Sequence, residues 1–230
     1  MVPLSFANNL FHVIDEAALF WPQQQALLVA DLHLEKASFY ARYGQMLPPY
    51  DSIATLQRVE QAIVSCGAKR VICLGDNYHD NGGETRLTAG AADILRRLTA
   101  TYNWLWVSGN HDDALCGSHG GTVASAFECG NIRLCHEAEP AATIAEISGH
   151  HHPCVRIAHH RRSLSRRCFV RSSRHLIMPA FGSLTGSLDA AHPAIAAVTG
   201  PGAEALVATS QRLLSFPCAA SDLHQQRKRA

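Results

Sequence analysis

Four short apolar runs in this chain each stop at residue types that ligate metals, and that coincidence restricts the folds open to it. Ala26-Leu27-Leu28-Val29-Ala30 ends at Asp31-Leu32-His33, and Val71-Ile72-Cys73-Leu74 ends at Gly75-Asp76. Trp104-Leu105-Trp106-Val107 leads through Ser108 into Gly109-Asn110-His111-Asp112, and residues 144–147 lead through Ser148 into Gly149-His150-His151-His152. Runs of this length, bounded by polar and glycine residues, read as buried strands. Each would deliver polar residues at its C-terminal end, as in an αβ sheet whose site lies along that edge.

The intervening segments read as helices. Pro48-Pro49 followed by Asp51-Ser52 is a start signal, Ile53, Leu56, Val59 and Ile63 recur at helical spacing, and Gly67 is a stop. Residues 84–98, with Leu87, Ala91, Ile94, Leu95 and Leu98, give a second helix. Strand, helix, strand, helix, strand predicts right-handed crossovers and a largely parallel first sheet. Beyond residue 150 the signals shorten to 154–157, 168–170, 175–178, 194–198 and 205–208. Turn residues separate them, which predicts a second, mostly antiparallel sheet packed on the first. A single domain over residues 1–218 and a flexible tail over 219–230 follow.

Composition adds exclusions. Apolar residues make up 47% of the 230 positions and charged residues 17%, enough for one core and too little charge for a disordered chain. No stretch has the ~20 apolar residues of a membrane span, and the N-terminus lacks the pattern of a signal peptide. The eight cysteines form no CxxC pair, so a zinc knuckle or disulfide framework is not indicated and a reducing cytoplasm is expected. With a net charge of +1, nucleic-acid affinity would have to come from local clustering. One cluster exists: no acidic residue lies between Glu146 and Asp189, while Arg156, Arg161, Arg162, Arg166, Arg167, Arg171 and Arg174 do. A solvated basic face and a phosphate-binding strip both fit it.

The four blocks carry coherent chemistry. Asp31 and His33 are two apart, so extended backbone would turn both to one face, and His150 and His152 repeat that spacing. Asp76 has two carboxylate oxygens and can bridge two cations about 3.5–4 Å apart. Asn110 offers an amide oxygen. Mixed oxygen and imidazole ligands suit Mn, Fe or Zn better than Ca.

In this order, DxH, GD, GNHD and GHxH, the blocks resemble the calcineurin-like metallophosphoesterase superfamily over nearly the whole chain. The resemblance implies an α/β fold, a four-layer α/β/β/α sandwich of two mixed sheets with the site at strand C-terminal ends. It implies two divalent transition-metal ions, manganese first, with Fe, Zn, Ni or Co as alternatives. Asp31, His33, Asp76 and His152 would hold one ion; Asp76, Asn110, an isolated His and His150 the other. His136, which follows the strand-like Ile132-Arg133-Leu134-Cys135, is the isolated His in preference to His119. His111 would transfer a proton, and Asp112 would either orient it or cap a loop. His151, the variable position of GHxH, receives no role.

A narrower resemblance rests on Asp31-Leu32-His33-Leu34-Glu35-Lys36, Tyr43-Gly44-Gln45-Met46-Leu47-Pro48-Pro49-Tyr50-Asp51, Gly75-Asp76-Asn77-Tyr78-His79-Asp80 and Pro179-Ala180-Phe181-Gly182-Ser183-Leu184-Thr185-Gly186. These look like the ligase-associated DNA damage response phosphoesterase (PdeM) branch. That implies a phosphodiesterase or endonuclease acting on DNA in bacterial repair, in functional association with an ATP-dependent DNA ligase and helicase. Lys36, Arg42, Arg156, Arg161 and Arg162 are the candidate phosphate contacts, with a surface role open for each. A small-molecule phosphoesterase is the alternative within the superfamily. A silent interaction scaffold, as in the retromer subunit that shares the fold, is the alternative of another class.

Overall fold

The computed structural model describes residues 1–159 and 162–218. The first sheet is a seven-stranded row in chain order: β1 (Val2–Phe6), β2 (Asn9–Ile14), β3 (Ala18–Trp21), β4 (Ala26–Ala30), β5 (Arg70–Leu74), β6 (Asn103–Val107) and β7 (Thr122–Ala124). From β4 to β7 neighbours are parallel; the β4–β5 and β5–β6 crossovers are helical, and residues 108–121 join β6 to β7 without a helix. From β1 to β4 they are antiparallel, so the expectation of a largely parallel sheet is corrected to a mixed one. The N-terminal meander forms because Val2, Leu4 and Phe6 alternate inward against Pro3 and Ser5. Ala7 and Asn8, at φ 48° and 61°, close its first hairpin in the left-handed backbone that two-residue turns favour.

Between the parallel strands lie α1 (Lys36–Ala41), α2 (Asp51–Cys66), α3 (Gly83–Arg86) and α4 (Ala89–Thr101). Gly67 ends α2 as its spacing predicts, with φ 69° and its N–H bonded to Ile63 O at 2.8 Å. The single helix expected over 84–98 is two. Thr88 sits between them in extended backbone, and its hydroxyl accepts from Ala91 N, capping α4.

The second half adds β8 (Ala126–Cys129), β9 (Ile132–Cys135), β10 (Ala145–Ser148), β11 (Pro153–His159), β12 (Arg162–Arg167), β13 (Phe169–Arg171), β14 (His175–Ile177), β15 (Leu188–Asp189), α5 (Pro193–Thr199), β16 (Glu204–Ala208) and β17 (Leu213–Pro217). Seven of these strands form the second sheet, in the order β17-β16-β13-β14-β10-β9-β8. It is mixed, with parallel β9-β10-β14 at its centre and antiparallel pairs on either side. Residues 194–198, expected as a strand, are α5: Pro193 opens the helix and the His192 ring accepts from Ala194 N. The remaining strands make a small sheet, β12-β11-β15, in which β15 meets β11 only at Pro153 and Cys154. The expected tail over 219–230 lies outside the described residues.

Side-chain alternation builds the layers. Leu27, Val29, Val71, Cys73, Trp104 and Trp106 point to one face of the first sheet, where Leu56, Val59 and Ile63 of α2 and Leu95 and Leu98 of α4 cover them. Leu28, Ala30, Ile72, Leu74, Leu105 and Val107 point to the other face and meet Ile132, Leu134, Ile147, Phe169 and Leu176 of the second sheet. The far face of that sheet buries Val170, Ile177 and Val207 with Ile195 of α5. Helix, sheet, sheet, helix is the order. Strands covered on both sides read as unbroken apolar runs for this reason, each buried Leu or Val contributing roughly 1.5–3 kcal/mol.

Candidate metal centre

The parallel strands of both sheets finish on one edge, where Phe181 N donates to Ala30 O at 2.8 Å across the two sheets. Within the second sheet the ladder runs on past the strand ends, Met178 N donating to Ser148 O at 2.7 Å and Gly149 N to His136 O at 3.0 Å. The fourth apolar run, as β10, therefore brings its histidines to the first sheet's ligand blocks from the neighbouring sheet.

The local backbone is not the extended one that the i, i+2 spacing suggests. Asp31, His33, Asp76, His150 and His152 have φ of 52°, 44°, 45°, 71° and 47°, left-handed conformations uncommon for residues with a Cβ. They are held there by hydrogen bonds between loops: Asp31 N to Gly75 O at 3.2 Å, His33 N to Asp76 O at 2.9 Å, and His150 N to both Asp31 carboxylate oxygens at 3.1 Å. Strain of this kind persists where surrounding structure imposes it, and it gathers here on one edge. Two glycines permit the close packing. A Cβ on Gly75 would overlap the His136 ring, and one on Gly109 would overlap the Asp76 backbone and carboxylate.

Three groups of side chains have their donor atoms within 4.8 Å of one another: one is His33, His79 and His111, and the two that contain carboxylates are Asp31, His33, Asp76 and His152, and Asp76, His136 and His150. Asp76 belongs to both of the latter. His33 Nε2 faces His152 Nε2 at 3.3 Å, and Asn110 Oδ1 lies 2.8 Å from His136 Nε2 and 3.0 Å from His150 Nδ1. His136 is brought to the centre; His119 stands in the loop before β7, its carbonyl bonded to the Thr99 hydroxyl. His151 lines the cleft but joins none of these groups.

The donor set fits divalent transition metals. Asp31 and Asp76 are 0% and 2% exposed, and no Lys or Arg bridges to either among the described residues. Two buried carboxylates side by side are costly without a cation. Burial and then the neighbouring His152 push the His33 imidazole down to about 2, so the ring is neutral, the form that ligates metals. Oxygen and imidazole donors without a cysteine match the borderline ions of the sequence expectation.

The rest of the site borders an open cleft of about 420 Å³ lined by His33, Lys36, His79, His111, His150 and His152, among others. His111 is 41% exposed in its side chain, with Nε2 3.9 Å from Asp76 Oδ2 and Nδ1 2.8 Å from His79 O. Asp112 has a different task from orienting that ring. Its buried carboxylate accepts from Gly109 N and Asn77 N at 2.8 Å and from Tyr78 N at 3.1 Å, clamping the loops after β5 and β6. The capping alternative describes it, and the orienting contact to His111 comes from the His79 carbonyl instead. His79 is the residue sequence reasoning passed over. The residue is 8% exposed, its ring touches His33 and His111, and its only signal was a position three beyond Asp76.

Among the described residues, Lys36 is the candidate phosphate contact that lines the cleft. Burial lowers its ammonium pKa while Asp51 opposes the shift. Asp51 Oδ2 accepts from Ala37 N, and Ser52 Oγ from Glu35 N, so the start of α2 holds the start of α1 in place. Arg42 turns to Asp80 at 3.7 Å, and exposed Arg156 lies 3.9 Å from Asp189. Arg162 pairs with His159 across the β11–β12 hairpin, and Arg161 lies outside the described residues.

Residues 25–156 match the family described as calcineurin-like phosphoesterase. Among solved structures, the crystal structure of Pseudomonas putida nuclease MPE aligns over 93% of this chain and 98% of that chain, with 25% identity and a TM-score of 0.73. YfcE, a phosphoesterase from E. coli, aligns over 80% of this chain and 88% of its own, at 16% identity and a TM-score of 0.39. A comparison with curated proteins finds no match.

Proposed function

Because the chain belongs to the calcineurin-like phosphoesterase family, we propose that it is a two-metal phosphodiesterase acting as a nuclease on DNA. The observation that carries the two-metal reading is Asp76, whose carboxylate is shared by two groups of converging donors. Asp31, His33, Asp76 and His152 would hold one ion, and Asp76, Asn110, His136 and His150 the other. A pair of divalent ions so held supplies Lewis acidity toward phosphoryl oxygens and lowers the pKa of water at the site.

The chain's own groups then have definite tasks. A carbonyl oxygen can only accept, so the bond to His79 O places a proton on His111 Nδ1 and leaves Nε2 directed at the cleft. In its protonated form His111 delivers the Nε2 proton to the departing alkoxide. Asp112 keeps the Gly109–Asp112 loop at the distance this requires. Lys36, at the cleft wall, meets phosphate charge.

DNA as substrate is supported by two further observations. The nuclease from Pseudomonas putida aligns over nearly the whole of both chains. Beyond Cys154 the β11–β12 hairpin pairs only with itself among the described residues, and it presents exposed Arg156 and Arg166 on a two-stranded ribbon rooted beside His152. A ribbon of that kind suits phosphate contacts along a strand. The same reading places the protein in a bacterial cytoplasm, manganese-loaded, working with an ATP-dependent DNA ligase and helicase in repair. The test is manganese-dependent hydrolysis of bis-4-nitrophenyl phosphate and 4-nitrophenyl phosphate, with plasmid and oligonucleotide DNA alongside. Cleavage of the diester and of DNA is expected; turnover of the monoester alone, with DNA neither cut nor bound, would assign a small-molecule phosphoesterase instead.

A further inference from the structure

His79 stands behind the centre. Its Nδ1 lies 3.3 Å from His33 Nδ1, while His33 Nε2 faces His152 Nε2 and the Asp76 carboxylate. Three rings pack against it: Tyr40 stacks on it at 5.6 Å, His111 stacks on it at 5.3 Å, and Phe39 meets it edge-on at 4.8 Å.

We propose that His79 is a positioning residue for the metal centre: its Nδ1 accepts the His33 Nδ1 proton and so holds His33 in the tautomer whose Nε2 lone pair faces the ion. The inference rests on the two-metal reading. The proton assignment follows from the geometry. A neutral imidazole carries one proton, and if His33 Nε2 is to offer a lone pair, that proton is on Nδ1. The group within hydrogen-bond distance of it is His79 Nδ1, which must then be unprotonated, with the His79 proton on Nε2. Such a support bears on His33 because its backbone is in the left-handed region, at φ 44°, and its ring direction is not fixed by a regular strand. Groups that bond the far nitrogen of a ligating histidine fix its tautomer and orientation, and losing them typically weakens metal binding by about 10–100-fold. The packing by Tyr40, Phe39 and His111 fixes His79 in turn. Because the His79 carbonyl also holds His111 Nδ1, one residue sets both a candidate ligand and the candidate acid.

Three variants decide it, each read by Mn²⁺ titration of the purified chain by electron paramagnetic resonance, with circular dichroism confirming the fold. His79→Phe keeps an aromatic ring between Tyr40 and His111 but has no acceptor; it is expected to weaken one of the two manganese affinities by about 10–100-fold and leave the other unchanged. His79→Asn restores an acceptor near the Nδ1 position and is expected to recover most of that loss. His79→Ala should resemble His79→Phe. Wild-type affinities at both sites in His79→Phe would overturn the proposal, as would a third ion that disappears with the ring. Wild-type protein that binds no manganese would overturn the two-metal reading itself, which separates the two failures.

Discussion

His111 and Asp112 are neighbours in the chain with unlike surroundings. The His111 side chain is 41% exposed at the cleft, whereas Asp112 is 1% exposed and spent on three backbone N–H groups. If His111 supplies the leaving-group proton, its removal matters in proportion to how poor the leaving group is. His111→Ala is expected to cost about 10²–10⁴-fold in kcat on an alkyl phosphodiester and much less on a nitrophenyl diester, with manganese affinity retained. Steady-state kinetics on the two esters check this, and equal losses on both would remove His111 as the acid. At this scale the ligand blocks were legible because each is a local pattern. What was not legible is tertiary: His79 reaches a partner 46 positions away, and the Asp31 and His33 side chains meet through left-handed backbone held by the loop after β5.

The elements around the centre are tied to it by a few polar contacts. Asp80, in the loop after β5, receives two hydrogen bonds from Arg86 of α3, one of them at 2.9 Å, and lies near Arg42 of the loop after α1. The Arg86 hydrogen bonds hold its carboxyl below the usual carboxylate range. A lowered folded-state pKa stabilises above the unfolded value of about 3.9, and the contribution disappears as pH falls through the folded value. Asp80→Asn is therefore expected to lose about 0.5–1.5 kcal/mol at pH 7, a modest figure because the pair is partly exposed. Urea unfolding at several pH values measures it: the deficit should shrink as pH falls below about 4, and a deficit constant from pH 7 to 3 would contradict the assignment. Helix and strand identities were readable where periodicity ran uninterrupted, as in α2. They were not where capping decided: Thr88 divides one apolar period into two helices, and Pro193 with His192 turns an apolar pentapeptide into α5.

Across the whole molecule, two mixed sheets share a core and present their parallel strands' C-terminal ends on one edge. Neither sheet holds the full donor set; β4, β5 and β6 bring Asp31, His33, Asp76 and Asn110, and β9 and β10 bring His136, His150 and His152. Two packed sheets were legible in the apolar runs and the turn-separated signals after residue 150, whereas the four-layer order came only with the family resemblance. The assignment of β10 to the second sheet was not, because a buried strand carries no mark of which sheet it joins. Such a centre binds metal only when the sheets are assembled, so metal stabilises the fold, by about 2.7 kcal/mol at a free concentration 100 times the dissociation constant. The measurement that bears most directly on the central claim is the manganese stoichiometry of the purified chain by equilibrium dialysis, in wild type and Asp76→Asn. Two ions per chain, with binding at both sites weakened when the shared carboxylate is lost, is the predicted result; a single ion, or two whose affinities ignore Asp76, would contradict it.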